Sequence, residues 1–192
     1  MKKILIINGH PDAESFNYGL SKAYKIGTEK LNAEIKEINI RDLEFNPNLQ
    51  FGYRKRTELE PDLLDAQEKL KWAEHFVWIY PVWWGSVPAM MKGFLDRVLL
   101  PGFAFSKREN SLWWDKHFTG KTARIICTLD QPDWYYKLVY SSPSHNAIKK
   151  VTLNYIGVKK VHTTAIGPIR LSKEEFRVKW LRKVEKLGEK GL

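Results

Sequence analysis

The run Ile4-Leu5-Ile6-Ile7 leads directly into Asn8-Gly9-His10-Pro11, and it constrains the fold more than any other stretch. An uninterrupted apolar run has no polar face to offer water, so it fits a strand covered on both sides, as in a parallel sheet. Phe76-Val77-Trp78-Ile79, within a strand expected over His75 to Tyr80 and stopped by Pro81, and Ala123-Arg124-Ile125-Ile126-Cys127, within one over Lys121 to Thr128, have the same character. Ala33 to Asn39 and Lys160 to Ala165 complete a set of five expected strands.

Between the strands the apolar period changes to that of a helix. Phe16, Leu20, Ala23, Tyr24 and Leu31 recur at helical spacing after Ser15, which has the chemistry of an N-cap. Pro61 opens a second helix to about Glu74, and Met90/Met91, Phe94/Leu95 and Val98/Leu99 mark the apolar face of a third. A further helix is expected from about Ser144 to Tyr155. The last begins with a Ser172/Glu175 capping box, carries Phe176, Trp180, Leu181, Val184 and Leu187, and ends before Gly188. Strands alternating with helices predict a single α/β domain over residues 1–192: a doubly wound, five-stranded parallel sheet in the order 2-1-3-4-5. In such sheets ligands sit beyond the carboxyl ends of the strands where the order reverses, here after strands 1 and 3. The polar and aromatic connection from Arg41 to Glu60 is long enough to carry function of its own.

Several classes are disfavoured at this stage. No apolar run reaches the roughly 20 residues that cross a bilayer, so no membrane insertion is expected. The net charge of +10 is scattered through pairs such as Lys149-Lys150 without a nucleic-acid motif, and no nucleic-acid partner is expected. Cys127 is the one cysteine, which precludes an intrachain disulfide and fits a cytoplasmic setting; it reads as a buried small hydrophobe. The five histidines have no metal-ligand spacing, and there is neither a nucleophile elbow nor a Rossmann or P-loop glycine pattern.

The chemistry resides in two loops. The first, Asn8 to Asn17, passes from a buried strand into a helix start, where unpaired N–H groups and the positive end of the helix dipole receive an anion; His10, Ser15 and Asn17 add side-chain donors. The second, Tyr80-Pro81-Val82-Trp83-Trp84-Gly85-Ser86-Val87-Pro88, puts adjacent tryptophans at the switch point. Large rings there suit a flat ligand, and Gly85 permits close backbone approach.

With Gly9-His10-Pro11, Ser15-Phe16-Asn17, the block from Pro81-Val82-Trp83-Trp84-Gly85-Ser86-Val87-Pro88 to Lys92-Gly93-Phe94-Leu95-Asp96-Arg97-Val98, and Pro101-Gly102-Phe103-Ala104-Phe105 after it, the chain resembles the NAD(P)H:quinone oxidoreductases of flavodoxin-like fold. The resemblance implies a homodimer with a flavin at each subunit boundary. FMN is the expected cofactor and FAD the alternative, reduced by NADPH or NADH and reoxidised by a quinone or similar acceptor. It implies that His10, Ser15, Phe16 and Asn17 grip the phosphate and ribityl chain, and that Pro81, Val82, Trp83, Trp84 and Gly85 run along the ring.

After strand 4 the chain departs from a common glycine-rich turn of that family and reads Thr128-Leu129-Asp130-Gln131-Pro132. Thr128, Leu129 and Asp130 are assigned to the cofactor by location, with the Leu129 and Asp130 backbones as ring donors. Tyr135, Tyr136 and His145 are the candidate catalytic residues by the same resemblance. Two other readings stand beside the enzyme: a flavin-binding regulatory subunit of a membrane transport system, and an electron-carrier flavodoxin.

Overall fold

The structure is a computed structural model and describes residues 1–191. Among the described residues seven strands form, β1 Lys2–Asn8, β2 Ala33–Asn39, β3 His75–Pro81, β4 Phe105–Lys107, β5 Trp114–Lys116, β6 Thr122–Thr128 and β7 Lys160–Ile166. Five of them make the parallel sheet, in the order β2-β1-β3-β6-β7, which is the 2-1-3-4-5 order expected; β4 and β5 form a separate antiparallel hairpin.

The apolar runs divide residue by residue between two cores, as the pleat requires. Ile4 and Ile6 of β1, Val77 and Ile79 of β3 and Ile126 of β6 meet one helix layer. It is made of α1 (Phe16–Glu29) and α7 (Glu174–Glu189). Leu5 and Ile7, then Phe76, Trp78 and Tyr80, then Ala123, Ile125 and Cys127, point the other way. There α2 (Pro61–Trp72), α3 (Ala89–Val98) and a helical run over 143–156 cover the sheet. That run consists of α5 (Pro143–His145), a π-helical segment Asn146–Leu153 and α6 (Asn154–Ile156).

Gly188 does not end the last helix. A Cβ at Gly188 would run into the Tyr24 carbonyl oxygen, and one at Gly27 into that of Glu185, so the two glycines let α1 and α7 cross in backbone contact. The capping box expected at Ser172 and Glu175 is also absent. Lys173 is the N-cap without a side-chain bond, and the Ser172 hydroxyl donates instead to the Ile169 carbonyl at 2.7 Å, closing the turn that precedes the helix. Pro81 closes β3 from inside the strand, paired with Thr128. Short α4 (Asp133–Leu138) and the β4–β5 hairpin carry no extended periodicity and were not expected from the pattern.

The long connection from Arg41 to Glu60 starts with a 3₁₀ turn, Ile40–Asp42, and is pinned to α3. Arg97 is buried to 1% exposure. Its guanidinium meets Glu60 Oε2 at 2.7 Å and the Glu58 carbonyl at 2.8 Å, and also bonds the Asn46 carbonyl. Burial by itself would raise the Glu60 carboxyl, but the Asn46 and Glu60 N–H groups and Arg97 together hold it below its ordinary value.

Candidate functional site

Both switch-point loops leave the carboxyl edge of the sheet side by side, because β1 and β3 are hydrogen-bonded neighbours. The Gly9 N–H donates to the Ile79 carbonyl at 2.8 Å, carrying the β1–β3 pairing into the first loop. Asn8, fully buried, holds that loop from both ends: Oδ1 accepts from the His10 N–H at 3.0 Å and Nδ2 donates to the Asn17 carbonyl at 3.4 Å. The Asp12 N–H donates to His10 Nδ1 at 3.0 Å, which puts the neutral ring's proton on Nε2. Burial lowers the His10 pKa against the opposing pull of Asp12, so at neutral pH the ring is an uncharged donor through Nε2.

Ser15 caps α1, its Oγ accepting from the Tyr18 N–H at 3.4 Å, as expected. Phe16 and Asn17 occupy the first helical positions, where an N–H has no carbonyl to meet within the helix. No acidic residue lies in that first turn. The turn therefore offers donors and positive potential together. Phe16 packs its ring onto the α1–α7 core.

Asn17 is buried to 3% exposure and joins the first loop to the third. Its Oδ1 accepts from the Thr128 hydroxyl at 2.9 Å, while its Nδ2 is buried without a partner. The Tyr18 hydroxyl is likewise buried and unpartnered, and burial, with Asp42 nearby, pushes its pKa up to about 12.

In the second loop Pro81 is buried, Val82 packs on the core, and the Val82 N–H donates to the Thr128 carbonyl at 2.9 Å. Trp83 and Ser86 exchange N–H···O bonds of 3.0 and 2.9 Å, enclosing Trp84 (φ +51°) and Gly85 (φ +71°) in a two-residue turn. Two consecutive positive φ values are the type I′ pattern, which suits glycine and is costly for a bulky residue. Trp84 occupies it with its ring fully exposed, and Trp83 is 44% exposed, edge-on to His10 at 5.6 Å between centroids. Strain at a fully exposed aromatic side chain is not repaid by packing within the chain. Pro143 backs Gly85, 3.2 Å from where a Cβ would stand, and the preceding Ser141 and Ser142 are both left-handed.

The third loop differs from expectation at one position. The Leu129 N–H donates to the Ile166 carbonyl at 2.8 Å and the Leu129 carbonyl accepts from Ile169 at 2.9 Å, so this backbone continues the β6–β7 pairing and is not a free ring donor. Asp130 is exposed and lies beyond that pairing.

The three candidate catalytic side chains part company. Tyr135 is half-buried, edge-on to the exposed Trp134 and Tyr140. Tyr136 is 2% exposed; its hydroxyl donates to Ser144 Oγ at 2.8 Å and accepts from the Ser144 N–H at 2.9 Å. His145 is also buried, its Nε2 3.0 Å from Cys127 Sγ. Burial raises the thiol and lowers the imidazole, giving a neutral pair rather than a reactive thiolate. Tyr136 and His145 are thus turned into the fold behind the third loop. Sequence reasoning overlooked Asn8 and Pro143; the one signal for Asn8 was a polar residue closing an apolar strand. Among the described residues no three His, Cys, Asp or Glu side chains converge as a metal set.

Sheet order and helices on both faces define an open, doubly wound α/β protein, in which the three loops leave the carboxyl edge of the sheet around the switch point. The chain belongs to the family described as flavodoxin-like fold, whose model matches residues 2–187. Among known proteins, a ribosyldihydronicotinamide dehydrogenase-like protein, traD, of Penicillium crustosum is 32% identical over 155 residues, 66% of this chain and 57% of that protein. NAD(P)H dehydrogenase (quinone) 1 of Rattus norvegicus is 29% identical over 126 residues, covering 55% of this chain and 46% of that protein. The match thus spans about half the length of these relatives. Among solved structures, Smu.1420 of Streptococcus mutans UA159 superposes with a TM-score of 0.84 at 27% identity, covering 98% of this chain and 99% of that one. An NAD(P)H:quinone oxidoreductase of Methanothermobacter marburgensis has the same fold, with a TM-score of 0.85 at 20% identity over 100% of this chain and 99% of that one.

Proposed function

We propose that this chain is a flavin-dependent oxidoreductase that takes hydride from NADPH or NADH and passes it to a quinone or similar acceptor, with FMN as the cofactor and FAD as the alternative. The observation that carries the reading is the Asn17 carboxamide. A buried N–H without an acceptor costs about 1–3 kcal/mol, and a ligand oxygen placed where the first and third loops meet removes that cost. The α1 start, with free donors and no acidic residue within its own first turn, takes the phosphate, and His10 adds its Nε2–H. The exposed faces of Trp83 and Trp84 take the flat ring, with Asp130 donating from the third loop.

Bound flavin supplies the hydride-accepting and hydride-donating ring; the protein supplies position and donors toward charge that develops on it. Tyr135 stands beside the third loop, on the acceptor's side of the ring. Tyr136 and His145 act as positioning residues, holding the third loop through Ser144 and Cys127. The quinone dehydrogenase names of the relatives agree with this class of chemistry.

A homodimer is part of the same reading. A groove of about 480 Å³ between α3 and the 143–156 run is lined by Val87, Leu95, Leu99, Phe105, Ile148 and Val151, and its apolar character suits a second copy of the chain. Sedimentation velocity tests it directly. The cofactor assignment is tested by adding FMN or FAD, removing the excess and recording the visible spectrum: retained flavin bands support the reading, and protein that elutes colourless from both removes it.

A further inference from the structure

The outward side of α7 is a cationic stripe. Val184 and Gly188 turn inward, and at 100° per residue Lys179, Arg182, Lys183, Lys186 and Lys190 fall within about 100° of arc on the far side. All five are exposed, and Glu175 is the one carboxylate that shares their arc. Glu185 and Glu189 lie off the stripe and share Lys30 Nζ at 2.8 and 2.6 Å. Among the described residues none of the five pairs with a carboxylate. Cations stacked three and four residues apart repel one another. Glu189 offsets part of that repulsion from the flank, at Lys186 and Lys190.

Apolar groups flank the stripe. Leu171 is 87% exposed just ahead of the helix, Val178 is 36% exposed on it, and Ile26 is 51% exposed on α1 in the same helix layer. Lys183 Nζ lies 4.3 Å from the centre of the Trp180 ring. We propose that this face of α7 seats the protein on an anionic lipid surface, its cations among phosphate headgroups and Leu171 and Val178 against the acyl boundary. The exposed apolar groups favour a bilayer over a nucleic acid, whose phosphate backbone gives them nothing to bury against. Contact is peripheral, since among the described residues no helix is long and apolar enough to cross a membrane.

The position of the stripe bears on the acceptor. The Ile169 N–H donates to the Leu129 carbonyl at 2.9 Å, so the segment that enters α7 is tied to the third loop. Docking brings that loop to the lipid surface, where an apolar, bilayer-dissolved quinone is the acceptor within reach. This last step rests on the function proposed above; the docking does not.

The test is co-sedimentation of the full chain with phosphatidylcholine vesicles, with and without phosphatidylglycerol, at low and high salt, beside a gel-shift assay with duplex DNA. Binding should require phosphatidylglycerol, weaken as salt screens the headgroups, and fall about 30-fold in the double variant Lys179→Gln/Lys186→Gln, at roughly fivefold per cation. Both side chains are exposed and unpaired, so the variant should keep the wild-type melting temperature and flavin spectrum. No binding to anionic vesicles, equal binding by the variant, or a shift of DNA without vesicle binding each overturns the proposal. A protein that binds vesicles but retains no flavin upholds the docking and defeats the function proposed above.

Discussion

The Thr128 hydroxyl donates to Asn17 Oδ1 at 2.9 Å, joining the last residue of β6 to the first turn of α1. That bond fixes the orientation of the Asn17 amide, so Nδ2 is held, buried and unpaired, where the loops meet. Replacing Asn17 with Ala should weaken FMN binding about tenfold, the value of one hydrogen bond of roughly 1.4 kcal/mol. A fluorescence titration measures it, and equal dissociation constants for variant and wild type would remove Asn17 from the cofactor site.

Trp84 gives a prediction of opposite signs for stability and binding. Glycine accepts a positive φ freely, so Trp84→Gly should raise the unfolding free energy by about 1 kcal/mol, since no packing is lost from a fully exposed ring. Flavin retention should fall at the same time. A denaturant titration paired with the retention assay reads both, and a variant that is less stable yet keeps its flavin contradicts the role assigned to this turn.

Arg97 is enclosed, and Glu60 is the carboxylate it meets. Glu60→Gln should therefore destabilise the fold, by on the order of 1–2 kcal/mol, because the buried guanidinium loses a partly exposed counter-charge but keeps the Asn46 and Glu58 carbonyls. Because the folded carboxyl titrates below its ordinary value, the contribution is complete above the unfolded pKa and is lost as pH falls through the folded one. Chemical denaturation of wild type and variant at neutral and acidic pH should converge toward the acid end.

His75 adds an earlier acid sensitivity. Burial, aided by Lys2 and Arg124, lowers its pKa to about 3 from 6.5, and Nδ1 is 2.6 Å from the Thr122 hydroxyl. The unfolded chain binds this proton first, so stability is full above pH 6.5 and falls toward pH 3, by up to about 1.4 kcal/mol per pH unit. His75→Gln should flatten that part of the profile, and an unchanged slope would assign the effect to other groups.

The sheet was legible because Ile4-Leu5-Ile6-Ile7 and its counterparts satisfy both layers at once, and a pattern buried on both faces admits few alternatives. The two principal loops stood out in the sequence because unusual residues follow the strands at which the sheet order reverses. What escaped was set by tertiary contact. Gly188 has the look of a helix stop, yet it is the crossing point of two helices; Ser172 has the look of a cap, yet a nearer carbonyl takes its hydroxyl. Leu129 sits in the right loop, but its N–H is consumed by Ile166 one strand over, a pairing invisible without the register. Tyr136 and His145 were readable as reactive side chains only until burial placed them against Ser144 and Cys127.

Anaerobic reduction of the flavin-loaded protein tests the central claim most directly. With NADPH or NADH added, the visible flavin band should bleach, and it should return when a quinone is admitted in place of oxygen. Retained flavin that neither nucleotide reduces would contradict the oxidoreductase account and leave a protein that binds the cofactor without turning it over.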